Sequence, residues 1–94
     1  MKKAIVLSTW KHGLNANKKA WEILKEKGAA LDAVEQGVMV AESDPEVTSV
    51  GYGGMPDREG NVTTDACIMD HKGNCGGVAF LKNIKNAVAV ARKV

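Results

Sequence analysis

Only three stretches of this chain carry the residues of a β-strand, and that scarcity constrains the fold more than any other feature. The first is a short apolar run, Ala4-Ile5-Val6-Leu7, closing on Ser8 and Thr9, so residues 4–9 read as a buried strand. The other two, residues 61–70 and 74–80, flank the tight-turn sequence His71-Lys72-Gly73 and read as a hairpin. Three strands make a narrow sheet whose faces must be covered. The cover has to come from helices.

The remaining sequence supplies them. A helix is predicted over residues 15–27, with Ala16, Ala20, Ile23, Leu24 and Lys27 at helical spacing. Gly28 stands where a left-handed C-terminal cap belongs. A second helix is predicted over residues 30–42, with Leu31, Val34, Val38 and Ala41 on one stripe. Gly37 inside it costs about 1 kcal/mol relative to alanine, which implies close packing against a neighbour. Asp44-Pro45 ends that helix, because the residue before proline avoids helical geometry. Residues 50–60 are a glycine-rich loop. A third helix starts at Asn86 as N-cap, with Ala87, Val88, Ala91 and Val94 toward the core. The chain reaches Val94 in mid-pattern, so residues 1–94 are expected to be the first part of a longer single domain. The fold class is α/β, in the order strand, two helices, β-hairpin, helix.

Composition removes several functions. Ninety-four residues allow one domain, and 45% hydrophobic against 26% charged residues is a globular balance, not a disordered one. Thirteen Lys+Arg and eleven Asp+Glu are interleaved and leave only +2, too weak a bias for nucleic acid or a membrane surface. No apolar run approaches the roughly 18–20 residues that span a bilayer. The run behind Met1-Lys2-Lys3 is shorter than the roughly 7–15 apolar residues of a secretory signal. Two cysteines, Cys67 and Cys75, cannot make a disulfide framework, and Cys67 reads as a small strand hydrophobe.

Chemical motifs are sparse. Gly51-Tyr52-Gly53-Gly54 lacks the Gly-Lys-Ser/Thr ending of a phosphate loop. His12, His71, Cys67 and Cys75 do not follow metal-ligand spacing. None of Ser8, Thr9, Ser49, Thr63 and Thr64 has a His and an acid at triad spacing, and no Gly-x-Ser-x-Gly elbow is present. Trp10 ends the first strand beside a glycine turn, where an aromatic can wall a pocket, although core packing is the commoner role. His12 shares that strand end, and Trp21 reads as helix packing. Asp65 and Asp70 can do acid–base work only if they converge; otherwise Asp70 anchors the hairpin turn.

Taken in order, however, the motifs match a family. Ser8-Thr9-Trp10, Asn17, Ala20-Trp21 and the run from Ala30 through Asp32-Ala33-Val34-Glu35 to Gly37 closely resemble the start of glycosylasparaginases. Asp44-Pro45, Ser49-Val50-Gly51-Tyr52-Gly53-Gly54, Pro56-Asp57 and Thr64-Asp65-Ala66-Cys67-Ile68-Met69-Asp70 continue the likeness. Gly77-Val78-Ala79, Ile84-Lys85-Asn86 and Val90-Ala91-Arg92 complete it, so it covers essentially the whole chain. The resemblance implies an N-terminal nucleophile amidohydrolase with a four-layer αββα sandwich, of which this chain is a part. Such a precursor cuts itself before a threonine, which then opens the β chain and acts as nucleophile with its own α-amino group as base. The implied substrate is a small glyco-amino acid, N4-(β-N-acetylglucosaminyl)-L-asparagine, with no metal or organic cofactor.

The implied partners are the remainder of the α chain and a threonine-bearing β chain, in an oligomer; relatives are often lysosomal or periplasmic. Trp10 matches the tryptophan that walls the family's active site, and Ser49 a serine close to the catalytic threonine. His12 falls where relatives often carry an aromatic on the glycan-facing side. No His-Asp-Thr-Gly-like cleavage segment occurs here, and neither Thr63 nor Thr64 can present a free α-amino group. The nucleophile is therefore expected from sequence outside this chain, and the chain alone is expected to be inactive. The opening Leu7-Ser8-Thr9-Trp10 favours glycosylasparaginases over the isoaspartyl peptidase and plant-type asparaginase branch, which opens Ile-His-Gly-Gly. Two alternatives stand beside this reading: an L-asparaginase or isoaspartyl peptidase fragment, and a non-catalytic remnant or partner-binding module.

Overall fold

The computed structural model describes residues 3–94. Helices α1 (Gly13–Lys25) and α2 (Ala30–Ser43) are joined by four residues and fold back on each other. Their seam is made of small side chains: Ala20 on α1 and Ala33, Gly37 and Ala41 on α2 are buried. A Cβ added at Gly37 would lie 2.9 Å from the Ala16 carbonyl oxygen and 3.4 Å from the Ala20 Cβ, so the backbones touch there. That close approach moves the large residues aside. Val34 and Val38, expected on the buried stripe, are 47% and 42% exposed.

α1 starts and ends two residues earlier than its spacing predicts. The left-handed residue after it is Lys27 (φ 63°), not Gly28. The Lys27 N–H donates to the Leu24 carbonyl at 3.0 Å and the Gly28 N–H to the Ile23 carbonyl at 2.8 Å, the paired bonds of a Schellman ending. Gly28 serves instead for closeness, since a Cβ there would sit 2.5 Å from the Ile23 Cγ2.

The expected strand over residues 4–9 is not formed. Ile5 and Leu7 are 81% and 91% exposed, and these residues join no ladder. The physical reason is the lack of a partner edge among the described residues, because a strand needs a neighbour for its backbone N–H and C=O groups.

Among the described residues the sheet is the hairpin alone, with β1 (Thr64–Met69) antiparallel to β2 (Cys75–Leu81). Its turn is built by Asp70, whose Oδ1 accepts the N–H groups of Lys72 and Asn74 at 2.9 Å each. Gly73 closes it with φ 86°. The register pairs Cys67 with Gly77 and Met69 with Cys75, and slips between Thr64 and Ala66. There Ala79 and Phe80 together face Asp65, a β-bulge with Phe80 in the left-handed region (φ 57°). The Asp65 carboxylate accepts the Phe80 N–H at 2.9 Å.

Helix α3 (Ala87–Lys93) covers one face of the hairpin, with Ala87, Val88 and Ala91 essentially inaccessible. Gly76 lets the β2 backbone meet the Ala91 carbonyl, where no side chain fits. Val94, expected on the same apolar face, lies past the last turn and is 79% exposed. Arg92 ties α3 to α2 through Asp32 at 2.6 Å and Glu35 at 2.9 Å. The opposite sheet face carries Cys67, Met69, Cys75, Gly77 and Ala79, so Cys67 is exposed and not a core hydrophobe. Strand alternation sends it away from α3. Among the described residues, three helices and one antiparallel hairpin thus form an α/β arrangement consistent with part of an αββα sandwich.

Candidate functional site

A cleft of about 780 Å³ opens between the N-terminal segment, the C-terminal half of α2, the loop before the 3-10 turn (Gly51–Gly53) and β1. Its walls carry Ser8, Thr9, His12, Glu42, Ser49, Thr64 and Asp65. The N-terminal segment is pinned to α1 because the Ser8 hydroxyl donates to the Asn17 Oδ1. Gly13 admits that contact, since a Cβ there would lie 2.6 Å from the Ser8 Cβ. Between them the chain turns at Trp10, with φ 64° and its carbonyl accepting the Gly13 N–H at 3.1 Å. An aromatic residue in the left-handed region costs roughly 1–2 kcal/mol. The surrounding contacts must hold it there.

The sequence singled out Trp10, His12 and Ser49, and the structure places them unequally. His12 and Ser49 line the cleft. Trp10 does not; it is 72% exposed and meets the His12 ring edge-on, with centroids 5.7 Å apart and an interplanar angle of 80°. Ser49 owes its place to Gly51 two residues later. Gly51 has φ 63° and packs on the Glu42 main chain so closely that no side chain fits.

Glu42 is the functional-looking residue that sequence reasoning passed over. It is only 4% exposed, the one buried charged side chain of the described residues. Its Oε2 accepts the Val88 N–H at 3.1 Å, so it caps α3 across 46 positions of sequence. Burial pushes its carboxyl above the ordinary range, opposed by hydrogen bonds from the Val88 N–H, the Asn86 side chain and the Ala87 N–H. Asn86 adds a second tie, donating from Nδ2 to the Ser43 Oγ at 2.9 Å. A signal did exist: Glu42 follows Val38 by four residues, on the same side of α2 as the apolar residues.

Asp65 and Asp70 do not converge. Asp65 borders the cleft and holds the bulge, whereas Asp70 sits in the turn at the far end of β1. Hydrogen bonding from the Asn74 side chain, with smaller help from the Asn74 and Lys72 amides and nearby His71, lowers the Asp70 carboxyl below its ordinary range. Thr64 has a buried hydroxyl without a hydrogen-bond partner among the described residues. Among the described residues no cleft hydroxyl is bonded to His12, Glu42 or Asp65, and no three of His, Cys, Asp and Glu gather as metal ligands. The cleft offers hydroxyls, an imidazole and two carboxylates to a polar ligand, without an assembled nucleophile–base pair.

This α/β arrangement with a polar cleft at its edge is consistent with part of a hydrolase fold. Residues 4–94 match the family model described as Asparaginase, and the chain belongs to that family. It is 60% identical over 92 residues to the N(4)-(beta-N-acetylglucosaminyl)-L-asparaginase of Elizabethkingia miricola, covering 98% of this chain and 27% of that protein. Proteins of the same name from Rattus norvegicus and Mus musculus are each 46% identical over 91 residues, covering 96% of this chain and 26% of theirs. The chain therefore spans about a quarter of the length of the relatives it matches.

Proposed function

We propose that this chain is the N-terminal part of a single asparaginase-type hydrolase domain that cleaves the amide bond of N4-(β-N-acetylglucosaminyl)-L-asparagine. The observation that carries the reading is the 60% identity to a bacterial enzyme of that name over 98% of the chain. The nucleophile is a threonine supplied by sequence outside these residues. Its hydroxyl attacks the amide carbonyl while its own α-amino group takes the proton; the glycosylamine leaves, and water then releases aspartate. In this reading Ser49 and His12 stand on the cleft wall beside the incoming threonine, and Trp10 braces His12 from outside. The chain by itself carries out no turnover.

The test starts with denaturing intact-mass measurement of the natively purified protein. A second chain beginning with threonine, together with aspartate release from the glycosylated substrate, is the expected result. Ser49→Ala and Trp10→Ala are then expected to lower kcat/KM at least about tenfold, equivalent to roughly 1.4 kcal/mol of transition-state stabilisation. A single 10.0 kDa species, or a two-chain protein that releases no aspartate, overturns the reading.

A further inference from the structure

A second cleft of about 560 Å³ lies on the other side of Gly51 and Thr64, which border both cavities. The two cavities differ sharply in charge. Among the described residues, the first has Glu42 and Asp65 on its walls and no Lys or Arg. The second, among the same residues, has Lys82 and Lys85 and no carboxylate. Among the described residues neither lysine is paired with an acid; the ion pairs there involve Lys19 and Arg92. Instead each ammonium rests on an aromatic ring, Lys82 at 5.3 Å from the Phe80 centroid and Lys85 at 5.6 Å from that of Tyr52.

The backbone builds this arrangement. The bulge turns Phe80 outward, and Asn83, left-handed at φ 60°, bends the chain one residue after Lys82. Lys82 and Lys85 thereby flank one cavity, with two residues between them. A ring face holds an ammonium without neutralising it, so both charges stay available to an anion. Asn61 and Asn83 line the same cavity and supply amide donors. A concave, one-signed wall focuses potential and raises the local concentration of counter-charge.

We propose that this second cleft binds an oxyanion, a phosphate or carboxylate group seated between Lys82 and Lys85 with the Asn61 and Asn83 amides as donors. Its ligand is a free inorganic anion or the acidic group of a sugar lying along Tyr52. The inference goes beyond the amide-cleaving reading and does not depend on it.

The experiment is an amide chemical-shift titration of the isotope-labelled protein with inorganic phosphate and, separately, N-acetylneuraminic acid, with neutral N-acetylglucosamine as control. Saturable shifts centred on Tyr52, Asn61, Lys82 and Lys85 are expected, with a dissociation constant in the millimolar range. Phosphate saturating alone identifies the inorganic anion, and tighter saturation by the acidic sugar identifies the sugar source. Lys82→Gln with Lys85→Gln is expected to weaken binding at least tenfold, while Lys18→Gln with Lys25→Gln on α1 leaves it unchanged. Raising NaCl from about 20 to about 200 mM is expected to weaken the unmutated protein's binding, since screening shortens from roughly 20 to 7 Å. Shifts that stay linear in anion, or an equal loss in both double variants, overturn the proposal.

Discussion

Replacing Glu42 separates its two contributions to the fold. In Glu42→Ala the Val88 N–H loses its acceptor at a position that is 1% exposed, and the side chain leaves a void. An orphaned buried donor costs about 1–3 kcal/mol, and incomplete collapse of the void adds to that, so about 2–4 kcal/mol is expected. Native proteins are stable by roughly 5–15 kcal/mol, which makes the loss a large fraction of the total. Glu42→Gln keeps the shape and one carbonyl acceptor while shedding a buried charge, and near neutral pH it is expected within about 1 kcal/mol of the unmutated protein.

The pH dependence has a definite sign. Burial raises the folded-state value above the 4.5 of an ordinary glutamate, so the native protein holds this proton more tightly than the unfolded chain. The corresponding stability is fully present below 4.5 and is lost as pH rises through the raised folded value. Relative to Glu42→Gln, the unmutated protein therefore gains stability as pH falls through that window. Urea unfolding followed by circular dichroism at several pH values between about 4 and 8 reads both effects. An unchanged midpoint in Glu42→Ala, or parallel pH profiles for the unmutated and Gln proteins, refutes the reasoning.

Other perturbations probe separate features. Thr64→Val removes a buried hydroxyl that has no partner and keeps the volume, so it is expected to be neutral or to stabilise by up to about 1 kcal/mol in the same urea assay. Gly51→Ala forces a Cβ onto the Glu42 main chain at a left-handed position and is expected to destabilise by more than about 2 kcal/mol. Asp70→Ala removes the turn's acceptor. Hydrogen exchange at Lys72 and Asn74 is expected to speed up, and because the folded Asp70 value is depressed, the unmutated protein loses this same protection as pH falls through that value.

What could be read from sequence was local. Pro45 placed the end of α2, and His71-Lys72-Gly73 placed the hairpin, because each signal acts on its own backbone. The end of α1 falls two residues before its spacing predicts because Lys27 takes the left-handed conformation, leaving Gly28 free to pass Ile23. No local rule weighs that close approach. The strand over residues 4–9 failed for a different reason: strand character is only a potential until another chain segment offers an edge. Glu42 has a local signal for its side of α2, but its role as a cap has none because its partner is Val88, far along the chain. In the candidate site, the neighbourhood of His12 and Ser49 followed from folding α2 and its loop back toward α1. The outward pose of Trp10 followed from one backbone angle that composition cannot reveal.

The bulge opposite Asp65 also has a consequence for how the hairpin finds its pairing. A shift of one residue would turn Cys67 and Met69 toward α3 and expel Ala66 and Ile68. In such a shifted pairing the Phe80 amide would no longer meet the Asp65 carboxylate that receives it in the native one. The carboxylate thus works as a lock that accepts one key. A misaligned hairpin lacks that closure, so the bond favours the one pairing that keeps Ala66 and Ile68 beneath α3.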